Sequence, residues 1–349
     1  MSRSPSVRSG YQDAVLFSIL ALCWGTSFVA IEVGLEYVPP LLFAGLRYAL
    51  AGVIVLGYAA VVTDRLRPVD RAEWLAVGVA GVFVIALYHA LLYVGELYVP
   101  GAIAATIAST APILTAAFAG AVLPEERFAP AGAVGLVLGL LGVIAVVQPS
   151  PTGLETEVLL GAGLVFGAAS AFAIGTVLVR PIDAALPVET LQAWAMLVGG
   201  AVLLLAAPLR GESVGAIDVT PSALLSFAYL TLVSSVFAFF LYFELLDRAG
   251  ATQVALVGYA EPAVAIGVSR LVLGYVVDSL AVVGLFTILA GFAAIKRRAL
   301  WRLVRSTVEK RRRSTGATPP VEAQTEARTD GGVPSESERA DSEPSAGRR

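Results

Sequence analysis

The chain has 349 residues, of which 57% are apolar, and it carries a formal net charge of −3 at neutral pH. Soluble domains contain about 45 to 50% apolar residues, so the surplus indicates surface that faces lipid. The single cysteine and single histidine exclude an internal disulfide and a cysteine- or histidine-rich metal site. They also leave few options for a nucleophile with its base, and the sequence lacks the phosphate-binding loop of nucleotide hydrolases. We therefore expect neither an enzyme nor a bound cofactor.

Apolar segments long enough to cross a membrane recur along most of the chain. A helix needs about 20 apolar residues to span roughly 30 Å of hydrocarbon. Ten windows approach or exceed that length: residues 13–34, 40–63, 73–96, 100–123, 130–148, 156–179, 188–208, 221–246, 251–274 and 278–295. The prediction is an all-α, polytopic membrane protein with ten transmembrane helices, divided into repeats at 13–148 and 156–295. Because the connections are short, any functional site must lie inside the bundle.

Charged residues in the connections indicate the orientation, since Lys and Arg near the ends of spans stay in the cytoplasm. With ten spans, one side of the membrane receives Arg3, Arg8, Arg65, Arg67, Arg71, Arg127, Arg180 and Arg248, and the other receives Arg210. Both termini, including residues 1–12, are therefore predicted to be cytoplasmic. Each half has an odd number of spans, so the second half enters from the opposite face. The halves are thus predicted to be inverted repeats, a recurrent plan of secondary transporters.

The first predicted span carries polar groups near its middle. Trp24, Thr26 and Ser27 combine an amphipathic ring with two hydroxyls, a usual lining for a pocket that binds an organic molecule. Small residues in such a segment also permit close helix packing, and both interpretations stay open. The apolar run is longer than that of a signal peptide, so we expect it to be retained.

Arg47 lies in the second predicted span, seven residues after Pro40. A charge at bilayer depth costs about 2.5 to 3.5 kcal/mol on insertion scales, so it usually marks a pathway or a buried pair. Three interpretations fit the sequence: binding of an anionic group, a structural pair with a buried acid, and a side chain that extends to the membrane surface. We favour the structural pair.

The fourth and fifth spans contain a hydroxyl near a proline and a row of glycines. Ser109 precedes Pro112, which is expected to kink the helix. The Ser109 hydroxyl is a candidate substrate contact, and the alternative is a small residue that permits close helix packing. The fifth span carries Gly132, Gly135, Gly139 and Gly142. Their spacing places them on one helical face, which must receive a close neighbour. We favour packing within the monomer over a homodimer interface.

Glu261 is the clearest ionisable residue inside a predicted span. It lies near the middle of the ninth span, beside Tyr259 and directly before Pro262. The proline cannot donate a hydrogen bond to the carbonyl four residues earlier, so a free acceptor and a carboxyl share one depth. Such a site suits a substrate amine, a cation or a proton. The alternative is a structural acid that is hydrogen-bonded to a neighbouring helix.

Two matching segments indicate that the chain is an internal duplication. A shift of 150 residues brings Gly101 to Val147 onto Ala251 to Ile295 and superimposes Pro112 on Pro262. The residue before each proline differs, because it is Ala111 in one half and Glu261 in the other. The strongest functional candidate therefore lies where the two halves depart from each other.

The sequence after Ile295 changes character twice. Residues 296–313 are basic with interspersed apolar residues, which fits either a helix on the anionic leaflet or a solvated positive flank. Residues 314–349 are acidic and rich in Pro, Ser, Glu, Gly and Thr, and they are predicted to be disordered. Because most of the 24 basic residues are arginine and the tail is acidic, we hypothesise a halophilic prokaryotic source.

The pattern resembles the EamA family of the drug/metabolite transporter superfamily. The matching motifs are Trp24-Gly25-Thr26-Ser27-Phe28, the segment around Arg47, Pro112 followed by Leu123-Pro124-Glu125-Glu126, and Glu261-Pro262. One departure is that Gly274 is followed by Tyr275 where the family typically has a Gly-Glu pair, so we assign Glu125 no transport role. The resemblance implies ten spans in two repeats and secondary transport of small organic metabolites, often amino acids or related compounds.

The leading hypothesis is an exporter or exchanger of small organic metabolites that works by alternating access, with a proton as a possible coupling ion. The alternatives are a carrier or flippase for a larger polar conjugate, such as a nucleotide sugar or a lipid-linked group, and a membrane scaffold or sensor. The expected partners are a small organic substrate and the lipid bilayer, with no nucleic acid, and the protein is a monomer or a homodimer.

Overall fold

The computed structural model describes residues 7–123, 130–147, 156–249, 254 and 256–294. The basic segment 296–313 and the tail 314–349 lie outside the described residues, as do Glu125, Glu126 and Arg127. In the part that is described, the regular structure is helical and contains no strand. The predicted all-α fold is therefore confirmed.

Apart from two short 3-10 turns, Pro208–Arg210 and Val214–Ala216, the regular structure of the described residues consists mainly of ten helical segments. Their bounds are α1 Val7–Leu35, α2 Pro40–Val62, α3 Arg71–Gly95, α4 Gly101–Val122, α5 Pro130–Val147, α6 Thr156–Val179, α7 Val188–Ala206, α8 Pro221–Ala249, α9 Val257–Val272 and α10 Ser279–Ala294. Seven of these, α1 to α4 and α6 to α8, are long and apolar enough to cross a membrane, and α5 and α10 are shorter apolar helices. A helix satisfies its own backbone polar groups, which makes this fold suitable for lipid.

The chain begins its helices with residues that tolerate unpaired backbone N–H groups. Proline occupies the first turn of α2 and of α8, where its missing N–H is no loss. At α3, Asp70 accepts a hydrogen bond from the backbone N–H of Glu73 at 2.8 Å. These signals set the helix boundaries within a few residues of the apolar windows in the sequence.

Successive helices run in alternating directions, which gives the bundle two faces. We call the face at which α1 begins the near face and the other the far face. On the far face, Glu212 from the α7–α8 connection accepts a hydrogen bond from the backbone N–H of Leu42 at the start of α2, at 3.0 Å. On the near face, Thr190 at the start of α7 donates to the carbonyl of Arg65 in the α2–α3 connection, at 2.6 Å. Exchanging the two repeats exchanges these faces, as inverted repeats require.

The helix contacts follow the same exchange of repeats. The pair α2 and α7 forms the most extensive contact in the bundle. Helix α1 packs against α8 and α9 of the other repeat, and correspondingly α6 packs against α3 and α4. The buried apolar cluster that joins these helices includes Phe43, Tyr93 and Met196. Each repeat therefore completes its packing only against the other one.

Two long helices contain a π-helical segment at equivalent places. The segments are Ala80–Leu87 in α3 and Tyr229–Phe237 in α8. Their starts and ends match when the first is shifted by about 150 residues. A π-helical turn is wider than an α-helical turn, and such segments occur often at functional sites. The α3 segment packs against α7 and the α8 segment against α2, near the centre of the fold.

Candidate functional site

Arg47 projects from α2 toward the π-helical segment of α8 and is 3% exposed. Its Nε–H donates to the Ser235 hydroxyl at 3.0 Å and an NH2 hydrogen donates to the Ser234 hydroxyl at 3.3 Å. An NH1 hydrogen donates to the Tyr93 hydroxyl of α3 at 2.6 Å. Three hydroxyls from two other helices thus hold the guanidinium well below the far face.

The Arg47 guanidinium keeps donor capacity after these contacts. It carries five N–H groups, and three of them are used by Tyr93, Ser234 and Ser235. Among the described residues, no Asp or Glu forms an ion pair with it. A buried cation without a counter-charge is costly, and its planar fork matches a carboxylate. The geometry therefore suits an anionic group that arrives from outside the chain.

Tyr48 packs against the guanidinium of Arg47, and His89 holds Tyr48 in position. The Cζ atom of Arg47 lies 4.8 Å from the centroid of the Tyr48 ring. The Tyr48 hydroxyl is 2.6 Å from His89 Nε2, and His89 Nδ1 is 2.8 Å from the carbonyl oxygen of Ile85. Because a carbonyl can only accept, Nδ1 carries the hydrogen, and Nε2 of the neutral ring accepts from Tyr48. His89 thus positions Tyr48 and also satisfies a carbonyl of the α3 π-helical segment.

Glu261 approaches the same region from α9. Helix α9 lies so close to α1 that a methyl group at Gly25 would be 2.7 Å from the carbonyl oxygen of Glu261. This contact requires glycine at position 25. Within the described chain, the Glu261 carboxyl has no hydrogen bond or ion pair. The charges of Glu261 and Arg47 both act on the Tyr88 hydroxyl, so a carboxyl and a guanidinium that form no ion pair within the described chain share one neighbour.

The polar residues of the first span have different surroundings. Trp24 Nε1 donates to the carbonyl oxygen of Ser234 at 3.1 Å, so the indole contacts the residue of the α8 π-helical segment whose hydroxyl accepts from Arg47. Ser27 donates to the carbonyl oxygen of Trp24 within its own helix. Thr26 lies beside the hydroxyl of Tyr229, at the start of the same π-helical segment. Trp24 and Thr26 therefore contact the π-helical segment that holds Arg47, whereas Ser27 is hydrogen-bonded within α1.

Ser109 and Pro112 mark an interruption of α4. The helix is broken between Ala108 and Ala111, and Pro112 lies in the first turn of the second part. Ser109 is 3% exposed, and its hydroxyl donates to the carbonyl oxygen of Thr106 at 2.6 Å. The hydroxyl is therefore satisfied by the same helix in this conformation.

Tyr259 and Glu261 point in different directions, because residues two apart on a helix are separated by about 200°. The Tyr259 ring packs on Phe292 of α10 with centroids 4.1 Å apart, in an apolar cluster that also contains Ile113 and Ile288. Pro262 lies inside α9 and is buried. The structure thus brings Glu261 toward the Arg47 region and leaves Tyr259 in the packing between helices.

The glycine face of α5 meets α10 within the same chain. A methyl group at Gly142 would lie 2.5 Å from Ile288 Cγ1 and 2.7 Å from the carbonyl oxygen of Gly284. A methyl group at Gly291 would lie 2.7 Å from the carbonyl oxygen of Gly135 and 3.3 Å from the Gly139 nitrogen. Gly132, one turn earlier, is half-buried. Contacts this close require glycine on both helices.

Sequence reasoning missed the residues that surround Arg47 and one buried acid. They are Tyr48, Tyr88, Tyr93, Glu96, Ser234 and Ser235. The serines lie in an apolar stretch and look like small packing residues. The repeat contained a usable signal, since a shift of 150 residues aligns Ser234 and Ser235 with Val84 and Ile85. A polar pair that replaces an apolar pair in one half of a duplicated membrane protein indicates a candidate site position.

Comparison with known protein families identifies the family of this chain. The profile of the EamA-like transporter family matches residues 13–148 and 159–297, one match for each repeat. The chain belongs to the EamA-like transporter family. This confirms the resemblance that the sequence motifs indicated. The two matches fit the division of the ten helical segments into two repeats. The protein is a multi-pass membrane transporter.

Individual relatives are similar at low identity. A probable amino-acid metabolite efflux pump of Salmonella typhimurium is 27% identical over 290 residues, covering 80% of this chain and 93% of the relative. The inner membrane transporter YedA of Escherichia coli K12, which is uncharacterized, is 29% identical over 249 residues, covering 71% and 78%. A solved crystal structure matches with a TM-score of 0.60 at 21% identity, covering 84% of this chain and 99% of that chain. At that identity, the structural match supports the fold alone.

Proposed function

We propose that this EamA-family protein is a secondary transporter of small zwitterionic metabolites of the amino-acid type. In this proposal Arg47 binds the substrate carboxylate, and Glu261 binds its ammonium group. The observation that carries the proposal is a buried guanidinium with unused N–H donors and no ion pair among the described residues. The name of the Salmonella relative supports the substrate class and an outward direction.

Alternating access is the mechanism that fits this architecture. The site is built by α2, α3 and α8, and α9 approaches it, so both repeats contribute to it. Rocking one repeat against the other would open it to each face in turn. We also propose that the near face is cytoplasmic, because Arg65, Arg67, Arg71, Arg180 and Arg248 lie at helix ends or connections on that face.

A larger phosphate-bearing conjugate is the second candidate substrate. Phosphate recognition usually requires several basic donors at one place. Among the described residues, Arg47 is the one buried arginine or lysine. This favours a substrate with a single small anionic group. A scaffold or sensor that signals through the tail is the further alternative, and truncation after Ile295 separates it, since a carrier should keep its transport.

A thermal-shift screen on the purified protein tests the proposed substrate class. Amino acids, nucleobases and amines would be screened first, and each amino-acid hit would be repeated as its methyl ester and its N-acetyl derivative. A ligand that binds only the folded state raises the melting temperature. We expect a rise with the zwitterion that both blocked forms lose and that Arg47→Gln abolishes. A rise with esters or nucleobases that equals the rise with amino acids would contradict the assignment.

A further inference from the structure

Glu96 is a buried acid without a hydrogen-bond donor. It follows the last residue of α3 at the far face and is 6% exposed. Neither of its carboxyl oxygens has a hydrogen-bond partner among the described residues. Because the cost of burying an unsolvated carboxylate is several kcal/mol, such a group is expected to take up a proton.

Two other buried acids in the described part of the chain, Glu73 and Glu212, behave differently from Glu96. Glu73 is fully buried, and it accepts two hydrogen bonds from Arg65, at 2.6 and 2.8 Å, and one from the backbone N–H of Val69, at 2.8 Å. Glu212 accepts hydrogen bonds from the backbone N–H groups of Leu41 and Leu42. These two carboxylates stabilise connections, as structural acids do. Glu96 has no comparable role.

The charges that act on Glu96 come from two neighbouring helices. They are the carboxylate of Glu32 on α1 and the guanidinium of Arg47 on α2. On its own helix, Tyr93 lies one turn earlier and accepts a hydrogen bond from Arg47. Helix α6 meets this end of α3 with Gly161 and Val165, which carry no charge. Glu96 therefore lies between a like charge toward the far face and the cation of the proposed substrate site.

Glu32 also lies next to the wall of a cavity at the far face. Its Oε2 accepts a hydrogen bond from the backbone N–H of Gly101 at 2.8 Å. Gly101 follows Pro100, which lines a cavity of about 250 Å³ together with Tyr98, Tyr275 and Asp278. The pKa of Tyr275 is raised by burial and by the nearby carboxylates of Glu32 and Asp278. The Glu32 carboxylate thus acts both on Tyr275 in the cavity wall and on Glu96.

We propose that Glu96 is a proton-binding site, filled from the far face by way of Glu32. The proton comes from water in the cavity and forms an O–H bond with one Glu96 carboxyl oxygen, which neutralises the carboxylate. On release, the bond breaks and the proton returns to water through Glu32. If this site is the coupling step of transport, that role rests on the proposed function. Proton binding at Glu96 does not depend on the proposed function.

Infrared difference spectroscopy of the purified full-length protein tests the site without any substrate. We expect the spectrum of the wild type minus Glu96→Gln at neutral pH to contain the C=O band of a protonated carboxyl. Glu36→Gln is the matched control, because Glu36 is an exposed acid one turn from Glu32, and it should remove carboxylate bands instead. A difference spectrum for Glu96→Gln that shows only carboxylate bands would overturn the proposal. Since no substrate is present, this failure is distinct from a failure of the proposed function.

A second variant tests the neighbour and does not depend on the folding of Glu96→Gln. Removing the like charge of Glu32 favours the ionised form of Glu96, so the protonated band of Glu32→Gln should titrate at lower pH than that of the wild type. The Glu36→Gln titration should follow the wild type. A Glu32→Gln titration identical to the wild type would also contradict the proposal, because it would show that Glu32 does not influence the protonation of Glu96.

Discussion

Two interfaces of the bundle are equivalent by repeat symmetry but differ in chemistry. Where α2 meets α8, Arg47 donates hydrogen bonds to Ser234 and Ser235 in the π-helical segment. Where α7 meets α3, the equivalent positions are apolar, and Gly199 lies so close to Ile85 that an added methyl group would be 2.5 Å from its Cβ. Both interfaces are closely packed, and both π-helical segments are present.

The apolar interface shows that this fold does not need a cation at the centre. Leu197 occupies the position equivalent to Arg47, and its helix packs against α2 directly. Replacing buried charges by apolar residues of similar volume is often neutral for stability. The polar interface is therefore not required by the packing of this fold. The proposed function gives Arg47 a role at this interface, which is to bind the substrate carboxylate.

The largest expected effect comes from making the two interfaces alike. Arg47→Met removes the guanidinium with little change in volume, and Leu197→Met is its matched control in the other repeat. Loss of a buried charge-assisted pair costs about 2 to 5 kcal/mol, which corresponds to a flux about 30- to 4000-fold lower at limiting substrate. The measurement is uptake of the amino acid from the thermal-shift screen into proteoliposomes.

The Leu197→Met variant should keep its flux within about twofold, because volume-conserving apolar exchanges cost about 1.5 kcal/mol or less. Both variants should melt close to the wild type. An Arg47→Met protein that melts normally and transports at the wild-type rate would make the polar interface a purely structural feature.

A second difference between the repeats concerns the prolines of α4 and α9. Ala111 precedes Pro112, whereas Glu261 precedes Pro262 and has no hydrogen-bond partner within the described chain. Glu261→Gln should lower the flux of the amino acid about 10- to 150-fold, since hydrogen bonds to charged groups are worth about 1.5 to 3 kcal/mol. Transport of the corresponding deaminated acid should change by less than about twofold, because it has no ammonium group.

The comparison of the two substrates is the critical measurement for Glu261. Glu244→Gln is the control, because Glu244 is an exposed acid on α8 that contacts Arg248 at 3.4 Å. It should leave both fluxes unchanged. Equal losses of flux for the amino acid and the deaminated acid would show that Glu261 does not bind the ammonium group.

The sequence predicted the architecture better than the site. Apolar windows and loop arginines are local signals, so the spans and their inverted order follow from them directly. Arg47 and Glu261 were visible because charges are rare in apolar helices. The partners of Arg47 were not, because Tyr93, Ser234 and Ser235 come from distant parts of the chain and meet only through helix packing. The direction of a side chain around its helix, which separates Tyr259 from Glu261, also depends on that packing.

The smallest expected effect tests which hydroxyl of the polar interface matters more. Ser235 accepts from the Arg47 Nε–H at 3.0 Å, whereas the Ser234 contact is longer, at 3.3 Å. Without the Ser235 acceptor the guanidinium is less well fixed before substrate arrives, and ordering a freed side chain on binding costs about 0.5 to 1.5 kcal/mol. We therefore expect Ser235→Ala to raise KM about fivefold and Ser234→Ala to raise it less, while Ser213→Ala in an exposed connection leaves KM unchanged. KM and melting temperature would be measured together, since a structural role alone would lower the melting temperature without changing KM. A larger change of KM in Ser234→Ala than in Ser235→Ala would mean that the guanidinium turns on binding and that its Nε–H does not hold it in place.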